Sequence, residues 1–419
     1  MNRYRANPRL LAPLLAGLAM LGPFSIDTFF PAFGRMEREL GVSAVAMQQT
    51  LSVYLGAFTL MSLLHGPLSD SYGRRGVIFY ALLVYLFASA GCVLAPDFHW
   101  LLAFRMLQGM SAGAGVVVGR AIIRDRYAGA DAQRLMSQVT LIFGAAPALA
   151  PIIGGWVLYF AGWRWIFGVL VLFTTLLLLT SLLALPETHP RARRVPFDPP
   201  HLLRTYRAIA GDLRFMLLAL AAGLNFGALF LYIASAPVVI LDLLHLNERQ
   251  FPWLFIPTIG GMTLGAALSG RFAGKLSAAA TVRLGYRLIF GGAALGLLLN
   301  LLMAPAVPWF VLPVAIGGMG VSLAFPTLTL LMLDRFPAVR GAAASVQMAM
   351  SLVVSTVVSG LLSPLASASG MSLALGNLGL ACCGLACWLL YLRVTPQVGP
   401  EVLLQQPVAD VAPGPALER

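Results

Sequence analysis

Charge is what this sequence most lacks. Only 11% of its 419 residues are Asp, Glu, Lys or Arg, while 59% are apolar; an ordinary soluble domain carries roughly 25% charged residues. That shortage excludes a water-soluble fold, which could not hide so much apolar surface. A chain that uses lipid as its solvent needs spans of about 20 apolar residues, each closing its backbone hydrogen bonds internally. Lysine is nearly missing, Lys275 being the only one among 28 basic residues. Cysteine is scarce too: Cys92 lies in one apolar run and Cys382, Cys383 and Cys387 in another, without zinc-finger or redox spacing, so they read as buried free thiols. No Walker A loop, dinucleotide fingerprint, nucleophile elbow or zinc motif is present. ATP-driven pumping and the common membrane enzymes are therefore without support.

A formal charge of +12 could suggest nucleic acid. That reading needs a basic patch on a soluble face, and here the arginines sit between apolar runs. The N-terminus, basic over Asn2 to Arg9 and apolar from Leu10 to Phe24, mimics a secretory leader but lacks a small-x-small cleavage pattern before Asp27. It is expected to be a retained first span.

Twelve apolar runs follow, near 10–33, 46–65, 77–95, 100–122, 135–158 and 165–185, then 214–240, 251–270, 282–303, 307–332, 342–364 and 370–392. The stretch Pro186 to Asp212 between the two sets is rich in Pro and Arg, as a hydrophilic linker is. The expected organisation is an all-α membrane protein. Residues 1–185 form an N-terminal six-helix bundle, 186–213 a cytoplasmic linker, 214–393 a C-terminal six-helix bundle and 394–419 a disordered cytoplasmic tail. With both termini inside, the inner segments hold 22 Lys and Arg, and only Arg35, Arg38, Arg164 and Arg249 fall outside. The positive-inside rule then puts both termini in the cytoplasm. Ser269 to Lys275 loosely echoes Gly66 to Arg75 after the second span of each set, which fits a duplicated bundle with a path between the copies.

Among sixteen acidic residues only Asp27 falls deep inside a span. A carboxylate at that depth costs at least about 2.5 kcal/mol on insertion scales, so it should face a cavity and have a task; the alternative is a residue near enough to the surface to stay hydrated. Arg105 in the fourth run is the matching base. The two are expected at similar depth, as an ion pair or in one polar network, unless Arg105 snorkels outward. Burial favours a neutral carboxyl and a neighbouring arginine an ionised one, so a helix shift that separates them makes a proton switch. Arg120, nearer the cytoplasm, is expected to snorkel.

Gly66 to Arg75 reads as a tight charged loop whose glycines, Gly66 and Gly73, permit a sharp turn, with Asp70 and Arg74 or Arg75 clamping helix ends. The fifth run gathers Gly144, Pro147, Pro151, Gly154 and Gly155, helix breakers and small residues that suit either close packing or a pliable seam between moving bundles. Tyr54, Gln108, Asn225, Tyr232, Asn300 and Gln347 are polar residues within runs, each a candidate for the substrate path or for an interhelical hydrogen bond.

Taken together, Ser25 to Ala32, Gly66 to Arg75, Arg105 to Gly109 and Ala150 to Trp156 resemble the bicyclomycin-resistance (Bcr/CflA) drug exporters of the major facilitator superfamily over about residues 10 to 393. The resemblance implies the major facilitator fold, proton coupling by Asp27 and Arg105, a conformational latch at Asp70, Arg74 and Arg75, and an antiporter motif in the fifth span. Ala150 stands where that motif commonly has Gly, and Met61-Ser62 where related exporters often have Gly-Gln. Ala19 occupies the turn where a relative with a second coupling acid would carry it, so one titratable carboxylate is expected. The implied function is proton-driven export of small amphipathic antibiotics across the bacterial inner membrane. Its partners are the substrate, protons and lipid, with no cofactor, metal, nucleic acid or obligate protein partner. Export of an endogenous metabolite is the alternative. A non-transporting sensor or membrane enzyme would need a polar loop cluster or an added soluble domain, and neither is visible.

Overall fold

A computed structural model describes residues 8–127, 129–273 and 275–395. The basic residues before Pro8 and the expected tail after Thr395 lie outside them.

The chain is helical almost throughout. α1 (Pro8–Asp27) leads through a 3-10 turn, Phe30–Ala32, into the short α2 (Phe33–Leu40). α3 (Ala44–Tyr72), α4 (Arg74–Leu94), α5 (Phe98–Arg126), α6 (Gly129–Ala161) and α7 (Arg164–Ala184) complete a first half. α8 (Pro199–Ala210) lies in the linker. The second half holds α9 (Leu213–Ala234), α10 (Pro252–Phe272), α11 (Ala278–Leu302), α12 (Val307–Arg335), α13 (Arg340–Val357), α14 (Ser363–Ala366) and α15 (Gly370–Val394). Eleven segments among the described residues are long and apolar enough to cross a membrane. α6, whose 33 residues reach about 50 Å at ~1.5 Å each, completes twelve crossings.

The scarce polar residues work at the helix ends. Ser43, Asp97, Asp198, Asp212, Ser277 and Ser369 accept backbone N–H groups in the first turns of α3, α5, α8, α9, α11 and α15. Those N–H groups have no partner within the helix, so the capping side chains satisfy them.

Packing repeats between the halves. α5 lies against α1, α3 and α4, as α12 lies against α9, α10 and α11; α1 meets α6 as α9 meets α13, and α4 meets α7 as α11 meets α15. Across the halves α3 packs on α13 and α6 on α10, the same pair of positions exchanged. Twelve crossings bring the start of α1 and the end of α15 to one side, here the terminal face; the opposite side is the far face.

Two expectations change, the loop at Gly66 to Arg75 and the burial of all four cysteines, and two gain detail, the first span and the linker. The stretch Gly66 to Arg75 is not a loop: α3 runs on through Tyr72, α4 starts at Arg74, and Gly73 alone, at φ +98°, makes the turn. The first run does not continue as one helix to residue 33, because Pro31 has no N–H for the Asp27 carbonyl and its ring crowds that carbonyl. α1 therefore ends at Asp27, its last helical residue, at a break inside the first span. The hydrophilic linker contains α8, an amphipathic helix started by Asp198 and Pro199. Cys382 and Cys383 are exposed on α15 instead of buried, whereas Cys92 is buried.

Candidate transport path and latch

The polar centre of the first half is built around Arg105, which is fully buried. Its guanidinium lies between the rings of Phe29 and Tyr54, 4.4 and 4.5 Å from their centroids. Nη1 donates to the Ser25 carbonyl at 3.0 Å and to Gln108 Oε1 at 2.9 Å. Gln108 Nε2 donates to Ser89 Oγ at 2.8 Å, and Ser89 to the Tyr85 carbonyl at 2.8 Å. The Tyr85 hydroxyl returns to α1 by hydrogen-bonding Ser25 Oγ. Arg105 Nε and Nη2 and the Tyr54 hydroxyl are buried without hydrogen-bond partners among the described residues. A planar cation stacked between two rings is held in place by cation–π attraction while part of its donor fork stays available.

Asp27 is 4% exposed. No hydrogen bond or ion pair reaches its carboxylate among the described residues. Arg105 binds the backbone two residues earlier, so the structure brings the two groups to one region without joining them. Thr28 closes the break locally, its hydroxyl donating to the Phe24 carbonyl at 2.5 Å. Arg120 is exposed and borders a cavity of about 120 Å³ that Ala19 also lines.

α6 packs directly on this break. A Cβ on Gly154 would collide with the Thr28 carbonyl oxygen, and one on Gly155 with the Glu248 carbonyl oxygen in the connection before α10. Adjacent glycines thus press one helix against the Asp27 break on one side and the second half on the other. Pro147 and Pro151 sit inside α6 without ending it.

Around Gly155 the halves meet at the far face. Arg249 lies over Tyr159 and Trp156, 3.6 and 5.1 Å from their centroids, and Arg35 pairs with Glu248 at 3.5 Å. Gln48 Nε2 donates to Ser363 Oγ at 3.1 Å, Gln49 Nε2 to the Gly360 carbonyl at 3.3 Å, and Ser52 bonds Ser359 at 3.1 Å. Of the second-half partners, Ser359 and Gly360 lie in a π-helical turn, Val358–Leu362, and Ser363 directly follows it, a local defect that often marks functional seams.

The latch gathers at the terminal face. Arg74 is buried and donates to Asp70 at 2.5 Å, Ser69 at 2.6 Å and Asp125 at 3.0 Å. Its backbone N–H donates to Glu187 at 3.0 Å, which caps α4. Thr188 donates to the same Asp125 oxygen at 2.9 Å, and Arg75 to the Leu182 carbonyl at 2.7 Å. α3, α4, α5 and the start of the linker are thereby tied together. Asp125, Glu187 and Thr188 escaped the sequence reading because they lie 51 to 114 positions from Arg74; an acid at the end of the fourth run was the available signal. Gly66 lies in α3 facing Val117 of α5. The second half has its own tie, Arg335 gripping Asp212 with two hydrogen bonds of 2.9 and 2.6 Å.

Of the other path candidates, Tyr54 and Gln108 belong to the Arg105 centre. Asn225 donates to the Tyr286 hydroxyl at 3.0 Å and Gln347 to Thr329 at 2.6 Å, both bonds between helices of the second half. Tyr232 packs edge-on against Phe310, and Asn300 bonds its own helix at Gly296.

Two helical bundles with repeated packing, joined by a linker and meeting along two helix pairs, define a multi-pass membrane transporter. The chain belongs to the Major Facilitator Superfamily, whose sequence profile matches residues 15–360. It is 35% identical over 278 residues to an uncharacterized transporter of that type from Bacillus subtilis, YdgK, covering 65% of this chain and 69% of the relative. It is 30% identical over 313 residues to the chloramphenicol resistance protein of Pseudomonas aeruginosa, covering 74% and 73%. With the bicyclomycin resistance protein homolog of Haemophilus influenzae it shares 29% over 273 residues, 65% and 69% of the two chains. These relatives accord with the Bcr/CflA branch. Among solved structures, a bacterial homolog of the human lysosomal transporter Spinster, inward-facing and occupied, superposes with a TM-score of 0.73 at 15% identity over 94% of this chain and 98% of that one. That likeness concerns the fold.

Proposed function

We propose that the chain exports small amphipathic compounds, of the bicyclomycin and chloramphenicol type, in exchange for protons across a bacterial inner membrane. The observation that carries this reading is the pairing of an unbonded, buried carboxylate, Asp27, with a buried arginine whose Nε and Nη2 are uncommitted. Asp27 is the group that takes and releases the proton. Arg105 answers its charge when a shift of the α1 break brings them together, and substrate competes for the same donors. Gly154 transmits that shift to α6, and Gly155 to the seam with the second half.

In this reading the terminal face is cytoplasmic, the 186–213 segment is a linker between two moving bundles, and the Arg74 latch times their exchange. The far-face contacts belong to the state that loads from the cytoplasm. No cofactor is needed, since one proton moving inward against a neutral substrate moving outward yields about 2.3 kcal/mol per 100 mV. That suffices for roughly fiftyfold accumulation at about 1.4 kcal/mol per decade. Relatives named for resistance to two unrelated antibiotics favour drugs over a single endogenous metabolite.

Asp27→Asn tests the reading in inverted vesicles. The amide keeps the volume but cannot exchange a proton, so uphill accumulation is abolished while downhill exchange survives. Accumulation equal to the parent's refutes the coupling role, and a panel of antibiotics and metabolites in a pump-deficient host separates the two substrate classes.

A further inference from the structure

The flank of the first half holds a groove that the path described above does not use. α3 and α4 turn into one another at Gly73 and both lie against α5. Between them opens a cavity of about 480 Å³, inside the range of about 300–1,000 Å³ usual for small-molecule sites. Met61 of α3 and Met110 of α5 give it soft walls, with Tyr72 and Tyr80, both largely exposed, beside it. Such side chains adapt to ring systems of different outline. Ser111 also borders the groove, but its hydroxyl is already committed to the Leu107 and Gln108 carbonyls at 2.9 and 3.1 Å.

His65 is the exception to the apolar lining. It is 2% exposed, its Nδ1 is buried without a partner, and neither ring nitrogen has a hydrogen bond among the described residues. An imidazole always carries at least one N–H, so a bare one among apolar side chains is costly and asks for a ligand group. Position decides which ligand. Tyr72 ends α3, His65 stands seven residues earlier, and that is about 10 Å deeper along the helix. Met61 is eleven residues earlier, about 16 Å, so the groove runs through one leaflet of a hydrocarbon core about 30 Å thick. A phospholipid would place only methylene groups at the level of His65. A compound dissolved in the leaflet, with rings and a hydroxyl or amine, fills the groove and bonds the imidazole at Nε2, since Nδ1 is packed against Gly113 of α5.

We propose that this groove is a second binding site, on the bilayer flank, for apolar ring compounds that carry one hydroxyl or amine. It is separate from the Asp27 and Arg105 centre and does not depend on the exporter reading, because its test measures binding.

The full chain in lipid nanodiscs is photolabelled with 4-hydroxybenzophenone and with benzophenone, at equal concentrations in the membrane, and the sites are mapped by mass spectrometry. The hydroxylated probe should label Met61 and Met110. His65→Leu should lower that labelling about tenfold, the worth of one buried hydrogen bond, and leave benzophenone unchanged; His65→Gln should retain most of it. Ala81→Trp, which fills the groove, should remove both signals. Any result in which the two probes respond alike to His65→Leu overturns the proposal. If that variant does not fold, the parent decides: labelling by the hydroxylated probe must exceed that by benzophenone about tenfold, and equal labelling overturns the site in favour of an acyl-chain groove.

Discussion

The Tyr206 hydroxyl of α8 donates to the Leu63 carbonyl of α3 at 2.7 Å. In a regular helix that carbonyl would accept from residue 67, but Pro67 has no N–H to give. A residue of the linker thus completes a bond that a membrane helix of the first half leaves open. α8 also packs on α13, the helix that meets α3 across the halves, so the linker helix bridges both members of that pair. Burial pushes the Tyr206 hydroxyl up to about 12, which keeps it a donor at every physiological pH.

Tyr206→Phe should therefore cost about 1 kcal/mol of stability by stranding the Leu63 carbonyl. In a Pro67→Ala background the backbone restores its own bond, and the same change should cost little. Thermal unfolding of the four proteins in a double-mutant cycle checks this. Equal costs in both backgrounds would mean that Tyr206 acts through packing alone.

At the latch, Arg74→Ala should slow turnover more than Asp70→Asn, because Arg74 is buried with partners on α3, α5 and the linker, whereas the Asp70 side chain is half exposed. Glu187→Gln should resemble the milder change, since an amide oxygen still caps α4. Substrate affinity should stay within a few-fold throughout. Initial rates and equilibrium binding measure the two quantities separately, and an altered substrate range at unchanged turnover would move the latch into the substrate site.

Much of this was legible in the sequence and some was not, for physical reasons. Hydropathy runs gave twelve crossings because lipid demands uninterrupted apolar length. Asp27 stood out because a lone carboxylate in such a run is costly. The α1 break was missed although Pro31 was in view, since its effect falls on the carbonyl four residues back. Gly66 to Arg75 looked like a loop because glycine, proline and charge cluster there, but a helix end at the membrane surface tolerates all three, and only Gly73 needed an unusual backbone angle. The uses of Asn225 and Gln347 depend on which helix faces which, and no local pattern carries that.

The second half offers an acid-sensitive tie. Partial burial alone would push the Asp212 carboxyl up, but the Arg335 hydrogen bonds, the Phe215 N–H and nearby arginines outweigh it, and the group titrates below the ordinary carboxylate range. A depressed folded value means the stabilisation is full above the unfolded value of about 3.9 and is lost as pH falls through the folded one. Asp212→Asn keeps the helix cap but loses the ion pair. Its deficit at pH 7, on the order of 1 kcal/mol, should shrink as the pH falls below the unfolded carboxylate value and through the lower folded one. Unfolding midpoints of parent and variant across that range test it; a constant gap would show that the pair contributes nothing.

Gly154→Ala should impair transport severely, because the added Cβ meets backbone at Thr28 and neither chain can yield cheaply. Overpacking of this kind costs about 1–3 kcal/mol. Gly155→Ala should act on the other contact and loosen the far-face seam. Accessibility of a Glu248→Cys probe to an impermeant thiol reagent reads the difference: it should rise with Gly155→Ala. Equal behaviour of the two variants would deny α6 its two-sided role.

Arg105 makes the last and most discriminating case. Lysine keeps the positive charge and enough donors for the Ser25 carbonyl and Gln108, both bound by Nη1 alone, but it has no planar face for Phe29 and Tyr54 and no counterpart of the unbonded Nε and Nη2. Alanine removes the charge as well and leaves Gln108 Oε1 with only the weak Cys92 thiol. Arg105→Lys should thus retain partial export, reduced by roughly tenfold if about 1.4 kcal/mol of stacking and fork geometry is lost, and Arg105→Ala almost none. Gln108→Leu separates positioning from charge: it frees Arg105 without removing it, so proton release on substrate addition should persist at a lower rate. Substrate-induced proton release from purified protein in detergent measures all three. If folded, substrate-binding Arg105→Ala released protons as the parent does, Arg105 would be a packing residue of the first half and Asp27 would couple alone.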